Sequence, residues 1–140
     1  MSKKLVFPKR GERIKKNASQ RQNIPHQGEI WLAEFPPAKE SRKPIRPVLI
    51  ISDNIQNEYD EWITVVPITT EDIKNIEPFE VFIENTLETG LKEPSKICCN
   101  YLHTVNKKLR LMDKKRIGAA SPEIMEKVKK ALKIVLNLGD

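Results

Sequence analysis

The sequence predicts a small domain that is mainly β-structure and ends in one helix, a combination typical of a small barrel. Short segments rich in β-branched residues recur along the chain and are separated by polar turns. The last segment instead repeats its apolar residues at helical spacing. With 140 residues, the chain is long enough for one domain that buries roughly two thirds of its unfolded surface.

The basic charge of the chain is concentrated at its start. Residues 1–27 hold eight basic side chains against one acidic side chain, whereas the whole chain has a net charge of +6. Because this stretch also lacks apolar periodicity, we expect a flexible basic extension before a folded domain at 28–140. The extension is either an arm that binds RNA or the ribosome through phosphate contacts, a solvated extension, or a mispredicted start.

The first half of the domain predicts strands joined by polar segments. Residues 28–35 alternate apolar and polar side chains, as a half-buried strand does. Residues 36–45 hold three prolines and predict a basic loop. The apolar run in residues 48–52 indicates a buried strand. Residues 53–61 predict a polar turn region, and the β-branched residues of 62–68 predict a third strand.

The second half of the domain adds shorter elements. Residues 79–84 alternate apolar and acidic side chains, and residues 97–102 predict another strand. The stretch 109–117 is ambiguous and favours a short helix, followed by a strand near 116–119.

The final segment predicts an amphipathic helix. Ser121 is the expected N-cap, and Pro122 suits the first helical position. Glu123 favours the positive helix end, and Gly139 predicts the stop. We expect the apolar face to pack on the barrel rather than on a membrane surface. This face comprises Ile124, Val128, Ala131, Leu132, Val135 and Leu138.

Several classes of protein and site are disfavoured by the composition. No apolar run approaches the ~20 residues of a membrane span or forms a signal-peptide core, so we expect a cytoplasmic protein. Cys98 and Cys99 are adjacent and would point to opposite faces of a strand, so we expect packing residues rather than a disulfide. Together with His26 and His103 they offer no metal site at these spacings.

One arginine and two threonines form the most informative pattern. Arg46 precedes Pro47, which biases it to extended backbone at the mouth of the buried strand. A guanidinium at that rim is placed to bind an anion, and its planar donors match a phosphate. Thr69 and Thr70 end the next strand, where their hydroxyls can donate to the same anion.

The order of these motifs resembles the MazF/PemK family of toxin endoribonucleases from bacterial toxin–antitoxin pairs. The resemblance runs from about Gly28 to about Leu138 and ends in the amphipathic helix. Its motifs are Gly28-Glu29-Ile30-Trp31, Arg46-Pro47, Pro67-Ile68-Thr69-Thr70, Thr89-Gly90-Leu91-Lys92 and Thr104-Val105. The resemblance implies an α+β fold that is mainly β: an SH3-like barrel of the MazF/Kid/CcdB type, usually a two-fold dimer.

The same resemblance implies a metal-independent, sequence-selective endoribonuclease without a cofactor. Its substrate would be single-stranded mRNA, cut by attack of a 2′-hydroxyl into 2′,3′-cyclic phosphate and 5′-hydroxyl ends. The implied partners are a second copy of the chain and a cognate antitoxin whose tail lies across the RNA groove. An acidic antitoxin would suit the basic loop from Lys39 to Arg46.

Arg46 and Thr69 match the positions where family members have a catalytic arginine and threonine. Arg46 would neutralise the developing phosphorane but would barely ever release a proton. The general base is open. Many relatives have Ser-Glu-Gln with the glutamate five positions before the arginine, whereas here Ser41 is in that place. Glu40 lies one residue earlier and is a weak candidate, with a solvated loop carboxylate as the alternative.

The strand that contacts RNA bases in relatives is altered in this chain. Relatives often read acid-Gln-hydrophobic-Arg-Thr, and this chain reads Asn100-Tyr101-Leu102-His103-Thr104. Tyr101 is expected to stack on an unpaired base, and His103 to carry a proton near neutral pH, although packing is the alternative for each. The remaining RNA contacts that the resemblance implies are Arg42, Lys43, Thr70 and Ser95.

Two non-catalytic interpretations stay open. The same barrel family includes a gyrase poison that inhibits by protein contact, although that relative uses an aromatic chain end and this chain ends in Leu138-Gly139-Asp140. The altered Tyr101 and His103 are also compatible with an RNA-binding barrel that has lost catalysis.

Overall fold

The computed structural model describes residues 24–35 and 45–139, in which one curled antiparallel sheet is covered by a C-terminal helix. This arrangement confirms the predicted mainly-β fold. The strands are β1 (Glu29–Glu34), β2 (Ile45–Ile50), β3 (Trp62–Thr69), β4 (Glu80–Ile83), β5 (Ser95–Cys98), β6 (His103–Asn106) and β7 (Gly118–Ala119). The helices are α1 (Asn54–Tyr59), α2 (Lys107–Arg110) and α3 (Pro122–Leu136).

The strands follow the order β4-β5-β3-β2-β1-β7, and β6 also pairs with β3. In the β2–β3 ladder, Val48 lies opposite Pro67 and Ile50 opposite Val65. Both β5 and β6 run antiparallel to β3, which places Ile68 opposite Ile97 and Val65 opposite His103. β3 is therefore the central strand of the sheet.

Alternate residues of the sheet pack into two separate cores. On what we call the helix face, Leu49 and Val66 pack with Val128 and Ala131 of α3. On the second face, the buried cluster consists of Trp31, Ala33, Phe35, Val48, Ile50, Ile63, Val65 and Val105. Because successive strand residues point to opposite faces, even-numbered residues of β2 and odd-numbered residues of β3 share the second face.

The structure confirms most of the predicted elements. β1, β3 and β4 occupy the predicted stretches, and β2 lies three residues earlier than expected at its start. Ser121 caps α3 by accepting a hydrogen bond from the Ile124 N–H at 3.2 Å. No helix in the described stretches is long and apolar enough to cross a membrane.

The prediction of a polar turn at 53–61 was wrong, because α1 forms there. Asp53 caps this helix by accepting from the Ile55 N–H at 2.9 Å. The helix docks through the fully buried Asn57, whose amide donates to the Ser52 carbonyl at 2.9 Å and whose oxygen accepts from the Ser52 hydroxyl. Apolar periodicity does not reveal a helix that is anchored by a polar side chain.

The predicted strand at 97–102 was also wrong in extent. β5 ends at Cys98, β6 begins at His103, and the Tyr101 N–H donates to the Cys98 carbonyl at 3.2 Å to form a turn. Continuation of the β3–β5 register places Cys98 opposite Pro67, and the β3–β6 register places His103 opposite Val65. Val66 alone is then left opposite residues 99–102, so this segment bulges out of the sheet.

The predicted helix stop was misplaced. α3 ends at Leu136, because Asn137 adopts the left-handed conformation with φ 53° and its N–H donates to the Ile134 carbonyl. Gly139 therefore lies beyond the stop, and Leu138 is exposed rather than on the packed face.

The Thr89-Gly90 motif is explained by a close backbone approach to β7. A Cβ atom at Gly90 would lie 2.0 Å from the Ile117 carbonyl oxygen, and one at Gly118 would lie 2.1 Å from the Thr89 oxygen. Gly90 also has φ +69°, which side chains rarely adopt. Glycine at both positions lets β7 close against this turn.

The predicted basic extension lies outside the described residues up to position 23, and its boundary stays a prediction. Of the residues that are described, Gln27 is bonded to the domain. Its N–H donates to the Asn54 side chain at 2.7 Å, and its amide donates to the Ile51 carbonyl at 2.9 Å.

We expect Asn57→Ala to destabilise the fold by about 2–3 kcal/mol, because it removes the side-chain donor of the Ser52 carbonyl and one partner of the Ser52 hydroxyl, which keeps only its bonds with Thr64. Urea unfolding of the variant would measure this loss. Ile55→Ala on the same helix is the control, since Ile55 is 57% exposed and its loss should change the unfolding free energy by less than about 0.5 kcal/mol. Equal stabilities of the two variants would contradict the anchoring role of Asn57.

Candidate functional site

Arg46 and Thr69 lie on the same face of the sheet. The paired β2–β3 ladder ends at Val48 and Pro67, and the extension of its register by two residues sets Arg46 level with Thr69. Both side chains belong to the second face. Side chains at opposed positions of paired strands have Cβ atoms about 4.5–5.5 Å apart, and Arg46 and Thr69 lie two residues beyond the last such pair. A guanidinium and a hydroxyl can therefore reach one small anion at this point.

The hydroxyl of Thr69 is oriented by the turn that follows β3. Its oxygen accepts a hydrogen bond from the Glu71 N–H at 3.1 Å. Because a hydroxyl both accepts and donates, the Thr69 proton can still be given to an anion. Thr70, the next residue, is exposed.

Phe35 and His103 complete this part of the second face. The Arg46 Cζ atom lies 5.6 Å from the centroid of the Phe35 ring. The Phe35 and His103 rings meet edge to face, with centroids 5.0 Å apart and an interplanar angle of 61°. The end of β1, the start of β2 and the start of β6 therefore converge on one aromatic ring. We call Arg46, Thr69, Phe35 and His103 the second-face site.

The electrostatics of the site favour a neutral histidine. Partial burial lowers the pKa of His103 below its ordinary value, and the charge of Arg46 lowers it further. The imidazole is therefore unprotonated at neutral pH and can accept a proton.

A buried ion pair borders the site at Thr69. Lys96 is opposite Thr69 in the β3–β5 ladder, and its ammonium lies 3.1 Å from the Glu80 carboxylate. Burial disfavours the charge of Lys96, but the hydrogen bond and charge of Glu80 outweigh it and raise the pKa of Lys96. The pair is therefore charged, and Lys96 neutralises a carboxylate that would otherwise repel an anion at Arg46.

The two cysteines provide no nucleophile. Both are free and buried, as predicted for packing residues. Burial, followed by the charge of Glu80, raises the pKa of Cys98 to about 11. Burial and the neighbouring thiol raise the pKa of Cys99 to about 12. Both thiols are protonated at neutral pH, and the thiolate is the reactive form.

The other predicted site residues are distributed more widely. Tyr101 is 56% exposed in the bulge next to His103. Ser95 is buried, and its hydroxyl donates to the Glu93 carbonyl at 2.9 Å, so an RNA contact there stays a prediction. The remaining candidates lie outside the described residues. They are Glu40, Arg42 and Lys43.

An open groove lies elsewhere on the domain. It has a volume of about 690 Å³, lies between β4 and α3 on the helix face, and has none of the predicted site residues in its lining. Within the described ranges, no three His, Cys, Asp or Glu side chains are grouped to hold a metal ion.

Sequence reasoning missed Phe35 and Lys96. Phe35 follows β1 immediately before a proline-rich stretch of sequence, and only the pairing of β1 with β2 shows that it meets Arg46. From the sequence alone, Lys96 resembles an exposed lysine on a strand. Only the register of β4 with β5 shows that it pairs with Glu80.

Comparison with known proteins gives consistent matches. The family described as PemK-like, MazF-like toxin of type II toxin–antitoxin system matches residues 26–136. Endoribonuclease EndoA of Bacillus subtilis (strain 168) is 33% identical over 118 residues, which are 84% of this chain and 98% of EndoA.

Solved structures share the fold. The Mycobacterium tuberculosis toxin MazF-mt6 aligns with a TM-score of 0.65 and 23% identity over 80% of this chain and 99% of its own. An endoribonuclease in complex with its cognate antitoxin, from mycobacterial species, aligns with a TM-score of 0.66 and 22% identity over 83% and 98% of the two chains. The family match covers most of the chain, which therefore belongs to the PemK-like, MazF-like toxins of type II toxin–antitoxin systems.

Proposed function

We propose that this toxin is a metal-independent endoribonuclease that cuts single-stranded mRNA at selected sequences. The observation that supports this most is the placement of Arg46 and Thr69 on one face, with the neutral His103 joined to Arg46 through Phe35. The endoribonuclease EndoA, 33% identical, supports the same activity.

In the proposed reaction, a ribose 2′-oxygen attacks the adjacent phosphorus and the bond from phosphorus to the 5′-oxygen breaks. His103 accepts the 2′-hydroxyl proton, and the leaving 5′-oxygen takes a proton from water. The Arg46 guanidinium and the Thr69 hydroxyl stabilise the charge that grows on the phosphorane oxygens. The products are a 2′,3′-cyclic phosphate and a 5′-hydroxyl.

The proposed RNA contacts beyond the reacting phosphate come from exposed groups beside the site. Tyr101 offers a ring for stacking on an unpaired base, and Thr70 follows Thr69 on the same edge. Arg42, Lys43 and Ser95 remain proposed contacts from the sequence, and Glu40 remains a weak candidate for the general base. Because Tyr101 and His103 differ from the residues common in relatives, we expect this toxin to cut a different RNA sequence from theirs.

The proposed partners are a cognate antitoxin and a second copy of the chain. Structures of an endoribonuclease with its cognate antitoxin and of MazE-MazF from Deinococcus radiodurans support the first of these. We propose that the toxin acts in the cytoplasm, because its proposed substrate, mRNA, is found there.

The proposed function predicts RNA cleavage by the purified protein in EDTA. Arg46→Ala should reduce the rate about 10²–10³-fold, the usual effect of losing a group that stabilises transition-state charge. Arg116→Ala is the matched control, because its guanidinium pairs with Glu29 at 3.4 Å and is 57% exposed.

Cleavage that is equal in the wild type and Arg46→Ala would refute the assignment. RNA retention without cleavage by the wild type would indicate an RNA-binding barrel. Capture of gyrase without any RNase activity would indicate the gyrase-poison alternative.

The His103 assignment predicts an acidic limb in the pH dependence of kcat/KM. Because the pKa of His103 is lowered, the base stays available through neutral pH and is lost only as the pH falls below about 6.5. Single-turnover cleavage between pH 4.5 and 8 would show this limb for the wild type, whereas His103→Gln should cleave more slowly and lack it. An unchanged acidic limb in His103→Gln would assign the proton to another group.

A further inference from the structure

The Phe35 ring contacts both Arg46, the cation of the second-face site, and His103, the candidate base. It lies 5.6 Å from the Arg46 Cζ atom and 5.0 Å from the centroid of the His103 ring. Phe35 itself is 9% exposed and belongs to the buried cluster of the second face with Val48 and Val65. One rigid, well-packed side chain therefore contacts both the phosphate-binding cation and the candidate base.

Arg46 lies near the start of β2, where contact with the Phe35 ring can restrict its side chain. Its backbone is paired with Ala33 of β1, but on the β3 side the ladder begins only two residues later, at Val48, and the following Pro47 has no N–H to donate. A guanidinium is attracted to an aromatic face, and this contact restricts a side chain that otherwise loses much rotamer freedom when it binds a ligand. The ring therefore limits where the guanidinium can be.

The elements packed around His103 show which charged side chain can affect its protonation. β3 presents Val65 opposite His103, and β1 contributes the Phe35 ring. On α2, the Lys107 ammonium donates to backbone carbonyls of α1 at 2.6 and 3.2 Å. Among the described residues, Arg46 is the cation whose field acts on the imidazole.

On the basis of the proposed function, we propose that Phe35 is a positioning residue that holds Arg46 beside His103, so that phosphate binding at Arg46 also controls the basicity of His103. Without RNA, the guanidinium charge disfavours an imidazolium beside it. A bound phosphate neutralises that charge, and the imidazole becomes a stronger base when the 2′-hydroxyl is in place. Substrate binding and proton acceptance are thereby coupled through one ring.

The resting protein tests the positioning role without any RNA. NMR titration would give the pKa of His103 in the wild type, Phe35→Leu, Phe35→Tyr, Arg46→Gln and the Phe35→Leu/Arg46→Gln double variant, with His26 as the internal reference. We expect Arg46→Gln and Phe35→Leu each to raise the pKa of His103 toward about 6.5. Phe35→Tyr should keep the wild-type value, because it preserves the aromatic face.

The double variant separates positioning from simple burial. If Phe35 acts by holding Arg46, then Phe35→Leu raises the pKa of His103 only while Arg46 is present. An equal rise in the Arg46→Gln background would show that Phe35 acts through burial alone and would overturn the proposal. So would an unchanged pKa in Phe35→Leu when Arg46→Gln raises it.

The second arm uses RNA in which the reacting 2′-hydroxyl is replaced by hydrogen. Saturation with this uncleavable oligonucleotide should raise the pKa of His103 in the wild type and raise it less in Arg46→Gln, where the phosphate loses the guanidinium that holds it beside the imidazole. With cleavable RNA, Phe35→Leu should lower kcat about tenfold and change KM less than about threefold, and Phe35→Tyr should restore kcat. Ile63→Val, in the same buried cluster, is the packing control and should keep the wild-type kcat.

The two arms distinguish the failure of the proposal from the failure of the proposed function. A wild-type protein that cleaves no RNA but shows the double-variant pattern would lack the activity and still have Phe35 as the positioning residue. A protein that cleaves RNA through Arg46, but whose His103 pKa does not respond to the bound oligonucleotide, would keep the activity and lose the coupling.

Discussion

The antiparallel register between β2 and β3 is the constraint on which the site depends. Val48, Leu49 and Ile50 are fully buried, and so are Val65 and Val66 opposite them. Because side chains alternate along a strand, a slip of one residue would move these apolar groups into the opposite core, where they do not fit, and turn Arg46 to the helix face. The position of the guanidinium relative to the threonine hydroxyl is therefore fixed by burial several residues away.

The two faces of the sheet have different roles. The helix face is closed by α3, whose Val128 and Ala131 complete one core. The second face holds a smaller core around Trp31, and its rim is left for the polar groups of the site. The Lys96–Glu80 pair belongs to this rim, where removal of either partner would leave a buried charge without compensation.

Much of the fold was accessible from the sequence because its strands are strongly apolar and its last helix has a clear cap and face. The sequence also predicted that Arg46 and Thr69 lie together at neighbouring strand ends, since Pro47 and the strand ends mark their positions, and their catalytic role stays a prediction. It could not reveal α1, which is anchored by the polar Asn57, or the bulge at 99–102, which depends on the joint register of β5 and β6. Phe35 and Lys96 were missed because their importance arises from cross-strand neighbours that local patterns do not encode.

The exposed side chains of the bulge between β5 and β6 can be replaced without disturbing the fold. Tyr101 and Leu102 are 56% and 37% exposed, and they lie outside the paired ladder. Replacement of either side chain removes few core contacts and no strand pairing. Under the proposed function, selection can therefore change the preferred nucleotides of such a toxin through these two positions, while the scissile chemistry stays constant in descendants that recognise different messages.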